Sequence, residues 1–156
     1  MQIRLHVERT IQASPVAVFA LALDPARFPA TFSGCGPIPA IRSITLNGPL
    51  AVGGTRELEN SDGSRLTERI TALTAASHHA YVLSGIRPPL SLLAVRGEAD
   101  WTFTAVGEGT RVSWDYVITL TSPLAWPLAW PVLRGCMQTA MRRCLDAMAR
   151  ELSRGA

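Results

Sequence analysis

The chain of 156 residues contains no lysine: its fifteen basic residues are all arginine, scattered from Arg4 to Arg154, with Arg142-Arg143 the single basic pair. With a formal charge of only +3, it lacks the concentrated basic face or arm that nucleic-acid binding requires, so nucleic acid is not an expected partner. Cysteine is scarce too. Cys35, Cys136 and Cys144 fit neither a disulfide framework nor a zinc-ligand spacing. Cys136 and Cys144 fall on one predicted helix and stand about 12 Å apart there, too far to bridge. Reduced thiols in the cytoplasm are the plain reading, and no cofactor is expected.

Other absences narrow the class further. The N-terminal residues alternate apolar and polar with no unbroken apolar stretch, which argues against a secretory signal. Tyr116 to Leu133 carries no charge and approaches the roughly 18 residues of a spanning helix. Its first part, however, alternates as a strand does, Thr119, Thr121 and Ser122 interrupt it, and Pro123, Pro127 and Pro131 follow at intervals of four. A transmembrane segment is therefore not expected. Phosphate-loop, dinucleotide and nucleophile-elbow motifs are missing, and the duplicated Pro-Leu-Ala-Trp is too short to signal a solenoid.

What is present suits one domain over residues 1–156, with a hydrophobic fraction of 47% to build a core. Ile3, Leu5 and Val7 alternate with Arg4, His6 and Glu8, a half-buried strand running to about Gln12, with a bulge or a solvent-reaching edge at Arg9. Ser14-Pro15 reads as a cap and first helical residue, and Asp24-Pro25 repeats the signal. Two short helices are predicted, the first burying Val16, Phe19 and Leu23, the second presenting Phe28 and Phe32. From Ile38 onward, turn residues punctuate an antiparallel meander. Its clearest hairpin sets Trp101, Phe103 and Ala105 against Val112, Trp114, Tyr116, Ile118 and Leu120 on one apolar face. The earlier strands are more polar: Arg56 and Asn60 share the face of Leu58, and Glu68 shares that of Leu66 and Ile70. A long amphipathic helix from about Pro131 to Ser153 closes the chain, with Leu133, Met137, Ala140, Met141, Cys144, Leu145, Met148 and Leu152 on one arc.

The order strand, two short helices, meander, long helix resembles the START-like superfamily, also called the SRPBCC or birch-pollen-allergen-like helix-grip proteins. Within it the chain is similar to the polyketide cyclase/dehydrase-like bacterial proteins. The residues that carry the likeness are Val7 to Pro15 with Val18-Phe19, Val52-Gly53-Gly54-Thr55-Arg56, Asp62-Gly63-Ser64 with Glu68-Arg69-Ile70, and Trp101-Thr102-Phe103 with Gly109 to Trp114. The proline-rich lead-in to the last helix departs from the pattern. The resemblance implies an α+β helix-grip fold, a curved antiparallel sheet of about six to seven strands around the C-terminal helix, with a deep apolar cavity between them. It implies binding of a lipid, polyketide or aromatic molecule, or ring closure or dehydration of one, and supplies no universal catalytic residue.

Candidate cavity residues are Phe32, Tyr81, Trp101, Phe103, Trp114, Tyr116, Leu133, Met137, Met141, Cys144 and Met148, all of which also suit plain core packing. The methionine-rich stripe, soft and adaptable, is expected to form the inner wall. Glu68 on an apolar face would have a raised pKa and could exchange protons with an enolisable ring; Arg56 could anchor an anion. A salt bridge between the two is the alternative. His78-His79 point to opposite faces of a strand and do not form a metal pair, and Asp115 is read as solvated. Trp126 and Trp130, four apart, would share a helical face. They could cap the cavity mouth, meet a partner chain, touch a membrane surface, or be buried against the short helices. A homodimer is possible but nothing indicates one.

Overall fold

The alternation in the first strand sets the architecture. In the computed structural model, which describes residues 1–88 and 90–154, β1 (Gln2–Ile11) buries Ile3, Leu5, Val7 and Ile11 and leaves the intervening side chains outside. It pairs with β7 (Gly109–Leu120) in unbroken register, from Gln2 opposite Thr119 to Ile11 opposite Thr110. No bulge occurs at Arg9. Lying on an edge strand, Arg9 instead reaches over the rim to the carboxylate of Asp146 on the C-terminal helix.

Five further strands follow, β2 (Ile41–Leu46), β3 (Thr55–Asn60), β4 (Arg65–Thr74), β5 (His78–Ser84) and β6 (Ala94–Val106). Together they form one seven-stranded antiparallel sheet in the order β1-β7-β6-β5-β4-β3-β2. The apolar hairpin β6–β7 lies next to the edge strand β1: Trp101 lies opposite Trp114 with ring centroids 4.1 Å apart, a stacked cross-strand pair of the kind that stabilises a sheet.

Ser14 caps α1 (Pro15–Leu23), its Oγ accepting from the Ala17 N–H at 3.2 Å, with proline at the first helical position. Val16 was expected inside, but it is 68% exposed. The helix turns Val18, Leu21, Ala22 and Leu23 inward instead, and Phe19 meets Phe103 edge-on at 5.3 Å. The second short helix reduces to one 3₁₀ turn, Phe28–Thr31. There the Thr31 hydroxyl donates to the Phe28 carbonyl at 2.6 Å, and Phe28 packs edge-on to Trp101.

The C-terminal helix begins earlier than Pro131. α2 spans Trp126–Pro131, a widened π-type segment runs over Val132–Met137, and α3 continues over Gln138–Arg154. Pro131 has no N–H to donate back into α2, yet the helix continues through it and the π-type segment begins at the next residue. The Gln138 N–H then bonds back to Leu133 and Gly135. The Gln138 side chain donates to the His6 carbonyl at 3.1 Å, fastening this junction to β1. α3 buries Ala140, Met141, Cys144, Leu145 and Met148.

Candidate ligand cavity

The helix touches the sheet fully only along α3. Further toward its N-terminal end, Leu133 and Met137 stand off from the concave face, and a solvent-open cavity of about 130 Å³ lies between them and the sheet. Phe28, Phe32, Ile38 and Pro39 close one side. Leu58, Leu66, Leu83, Trp114, Tyr116 and Ile118 form the floor, and Ile86, Leu90, Leu93 and Ala94 form the rim next to β6. The walls are mostly apolar with few polar groups, the usual make-up of a small-molecule site.

Those polar groups lie across adjacent strands. Arg56 on β3 is opposite Glu68 on β4, and both are nearly inaccessible, 3% and 4% exposed. Arg56 Nε donates to Glu68 Oε2 at 2.9 Å and its Nη2 donates to the same oxygen. Glu68 also lines the cavity, and among the described residues its Oε1 has no hydrogen-bond donor. Burial pushes the Glu68 carboxyl above its ordinary range, and the Arg56 guanidinium offsets part of that rise. Tyr81 and Tyr116 line the cavity too, and their phenols are held protonated, first by burial and then by the Glu68 charge. Asn60, whose amide donates to Ser64 Oγ at 3.0 Å, and Asp62, Ser64, Arg87 and Arg96 make up the rest of the polar lining. Tyr116 fits because position 97 is glycine: a Cβ there would fall 2.5 Å from the Tyr116 ring.

Of the residues singled out from the sequence, Phe32, Tyr81, Trp114, Tyr116, Leu133, Met137 and Glu68 are brought together around the cavity. Trp101 and Phe103 are not, because Phe28 and Phe19 cover them. Met141, Cys144 and Met148 are fully buried against β1, α1 and the 3₁₀ turn, where Thr31 Oγ1 sits 3.5 Å from Cys144 Sγ. The stripe is thus core rather than inner wall, except at Met137. Arg56 lies behind Glu68 as its partner and does not line the cavity. His78 faces outward to Asp100 at 2.9 Å, while His79 is buried with neither ring nitrogen bonded. Burial, with Arg56 and His78 nearby, lowers the His79 pKa to about 3. Asp115 is exposed beside His6 at 2.7 Å.

Leu58, Asn60, Gly97 and the rim residues Ile86, Leu90 and Leu93 were not foreseen. For the rim there was a signal: residues 86–93, between two strands, hold four large apolar side chains, unusual for a connection that would otherwise run through water. Gly97 offered none.

A curved sheet gripping one long helix over an apolar cavity defines a helix-grip protein. The chain belongs to the family described as polyketide cyclase/dehydrase and lipid transport, whose model matches residues 2–153. No curated protein sequence matches it. Among solved structures it is similar to the Zhui aromatase/cyclase from Streptomyces sp. R1128, at 12% identity and a TM-score of 0.78 over 99% of this chain and 95% of that one. TTHA0849 from Thermus thermophilus gives 19% identity and 0.75 over 99% of both chains. Ara h 8.0201 gives 17% and 0.72 over 98% of this chain and 99% of that one.

Proposed function

We propose that this protein binds a small, largely apolar molecule, a lipid, polyketide or aromatic, and carries or sequesters it. The apolar body would lie on Leu58, Leu66, Trp114 and Ile118 under Leu133 and Met137, and a hydroxyl or similar donor would face Glu68. The observation that carries this reading is the buried carboxylate with one oxygen held by Arg56 and the other directed to an open apolar cavity. A donor meeting it in a dry site makes a charge-assisted bond, stronger than its neutral counterpart. Three free thiols fit a cytoplasmic setting. Native mass spectrometry of the purified protein and displacement of fluorescent fatty acids or naphthols test the reading. Retained or displaceable ligand is expected, with affinity for hydroxylated probes falling about tenfold in Glu68→Gln. No binding of any probe would refute it.

A second reading is favoured by the cavity position of Glu68 beside two phenols. In a cyclase or dehydratase role, Glu68 Oε1 would take the proton from a carbon next to a ketone while Tyr81 or Tyr116 donates to the ketone oxygen. Burial raises the Glu68 pKa, which makes its carboxylate a stronger base than an ordinary one. Ring-closed or dehydrated product from a soluble poly-β-ketone, lost in Glu68→Gln, is the expected result; unchanged substrate removes this role and leaves binding.

A further inference from the structure

The segment leading into the last helix presents a surface that the cavity does not use. Leu124 and Leu128 are 91% and 69% exposed, and Trp126 and Trp130, stacked at 5.6 Å, are 41% and 39% exposed. Leu92, at 69%, belongs to the same region. Thr121 fastens its turn to this segment, the N–H donating to the Leu93 carbonyl at 3.0 Å and Oγ1 to the Ser91 carbonyl at 2.7 Å. Single exposed leucines are ordinary, but a contiguous group with two indoles marks an interaction surface.

The sequence flanking it is one-sided in charge. Residues 121–145 contain Arg134, Arg142 and Arg143 and no acid, and residues 86–97 contain Arg87 and Arg96 and no acid. Arg134 lies 4.9 Å from the Trp130 ring, so cation and indole advance together. Arg96 is paired with Glu98 at 3.0 Å, and Asp62 sits on the far lip of the cavity. Indoles, leucines and arginines on one short surface are what a lipid interface receives: the rings sit at headgroup depth and the guanidinium groups face anionic phosphates. Leu90, Leu93, Leu133 and Met137, adjacent to the patch in sequence, line the cavity.

We propose that this surface seats on an anionic lipid bilayer, so that the cavity exchanges its apolar ligand with that leaflet. This rests on the cavity being an apolar-ligand site, yet seating itself needs no ligand, so the two fail separately. Flotation of the full chain with phosphatidylcholine vesicles, with and without phosphatidylglycerol, at low and high salt is the test. Binding to the anionic vesicles, weakened by salt, is expected. Trp126 and Trp130 should lose acrylamide quenching on vesicle addition, while Trp101 and Trp114, both 1% exposed, are shielded from the quencher from the start. Leu124→Ser with Leu128→Ser should cut partitioning about tenfold or more with melting temperature unaltered, and Arg134→Gln about fivefold. No partitioning, or wild-type partitioning of the double variant, overturns the proposal. So does a solution dimer that the double variant converts to monomer, since the surface would then belong to a second copy. Retained ligand without vesicle binding overturns this inference and leaves the cavity reading intact.

Discussion

Replacing Arg56 by methionine tests the polar side of the cavity most directly. The guanidinium is 3% exposed and its partner carboxylate 4%, so the variant leaves a buried carboxylate without its cation. Breaking such a pair from one side costs about 3–5 kcal/mol, which for a domain of this size is a fall in melting temperature on the order of 10 °C. The pH dependence identifies the cause. Glu68 already has its folded pKa raised above 4.5 by burial, and removing Arg56 raises it further. A raised acid binds its proton more tightly folded than unfolded, so its contribution to stability declines as pH climbs from the unfolded value through the folded one. Relative to wild type, the Arg56→Met deficit should therefore be larger at pH 7 than at pH 4.5, deepening by at most about 1.4 kcal/mol per unit above the unfolded value. Adding Glu68→Gln should recover most of the loss, because no lone charge remains. Urea unfolding of the three proteins at the two pH values measures this. An equal deficit at both pH values, or a double variant as unstable as Arg56→Met, would refute the account.

Met148→Ala should lose about 2–5 kcal/mol by opening a void in the core while leaving ligand affinity unchanged. Met137→Ala, bordering existing space, should lose less than about 2 kcal/mol and shift ligand affinity; paired calorimetry and titration distinguish them. The His79 pKa of about 3 lies below its unfolded 6.5, so its contribution is present above pH 6.5 and lost as pH falls toward 3, at up to about 1.4 kcal/mol per unit. His79→Leu should flatten that acid limb in a pH series of urea midpoints. A Cβ on Gly36 would lie 3.0 Å from Cys136 Sγ, and burial together with the neighbouring Cys35 thiol raises the Cys136 pKa. Copper-phenanthroline oxidation should therefore join Cys35 to Cys136, as read by peptide mapping. Cys144, its thiol pushed up to about 12 by burial, should remain reduced.

The strands were legible because period-two alternation reports burial on one face. In β1, Ile3, Leu5 and Val7 are inside as their spacing requires. The shared face of Arg56, Leu58 and Asn60 likewise foretold a buried polar stripe, since all three are 3% exposed. What alternation cannot convey is which part of a buried face meets another element and which meets open space. Trp101 and Phe103 follow the same pattern as Trp114 and Tyr116. The difference is made by Phe19 and Phe28, more than seventy positions away in the chain. The same limit applied to Met141, Cys144 and Met148, whose apolar arc is common to core and cavity wall.

The π-type segment explains both the cavity wall and the exposed indoles. In an uninterrupted α-helix, positions 126, 130, 133, 137, 141, 144 and 148 follow one stripe, and both indoles would continue the buried face. A single widened turn shifts the phase by about one residue, roughly 100°. Over Val132–Met137 it leaves Leu133 and Met137 above the cavity and turns Trp126 and Trp130 toward solvent, 41% and 39% exposed. Deleting Gly135, beside which a Cβ would meet nothing within 4 Å, should let the segment return to α-helical phase. The indoles would then swing inward against the sheet. Tryptophan emission without vesicles should shift to the blue, acrylamide access should fall, and both ligand uptake and vesicle binding should decline together. If emission and quenching match the wild type after the deletion, helix phase does not set where the indoles point.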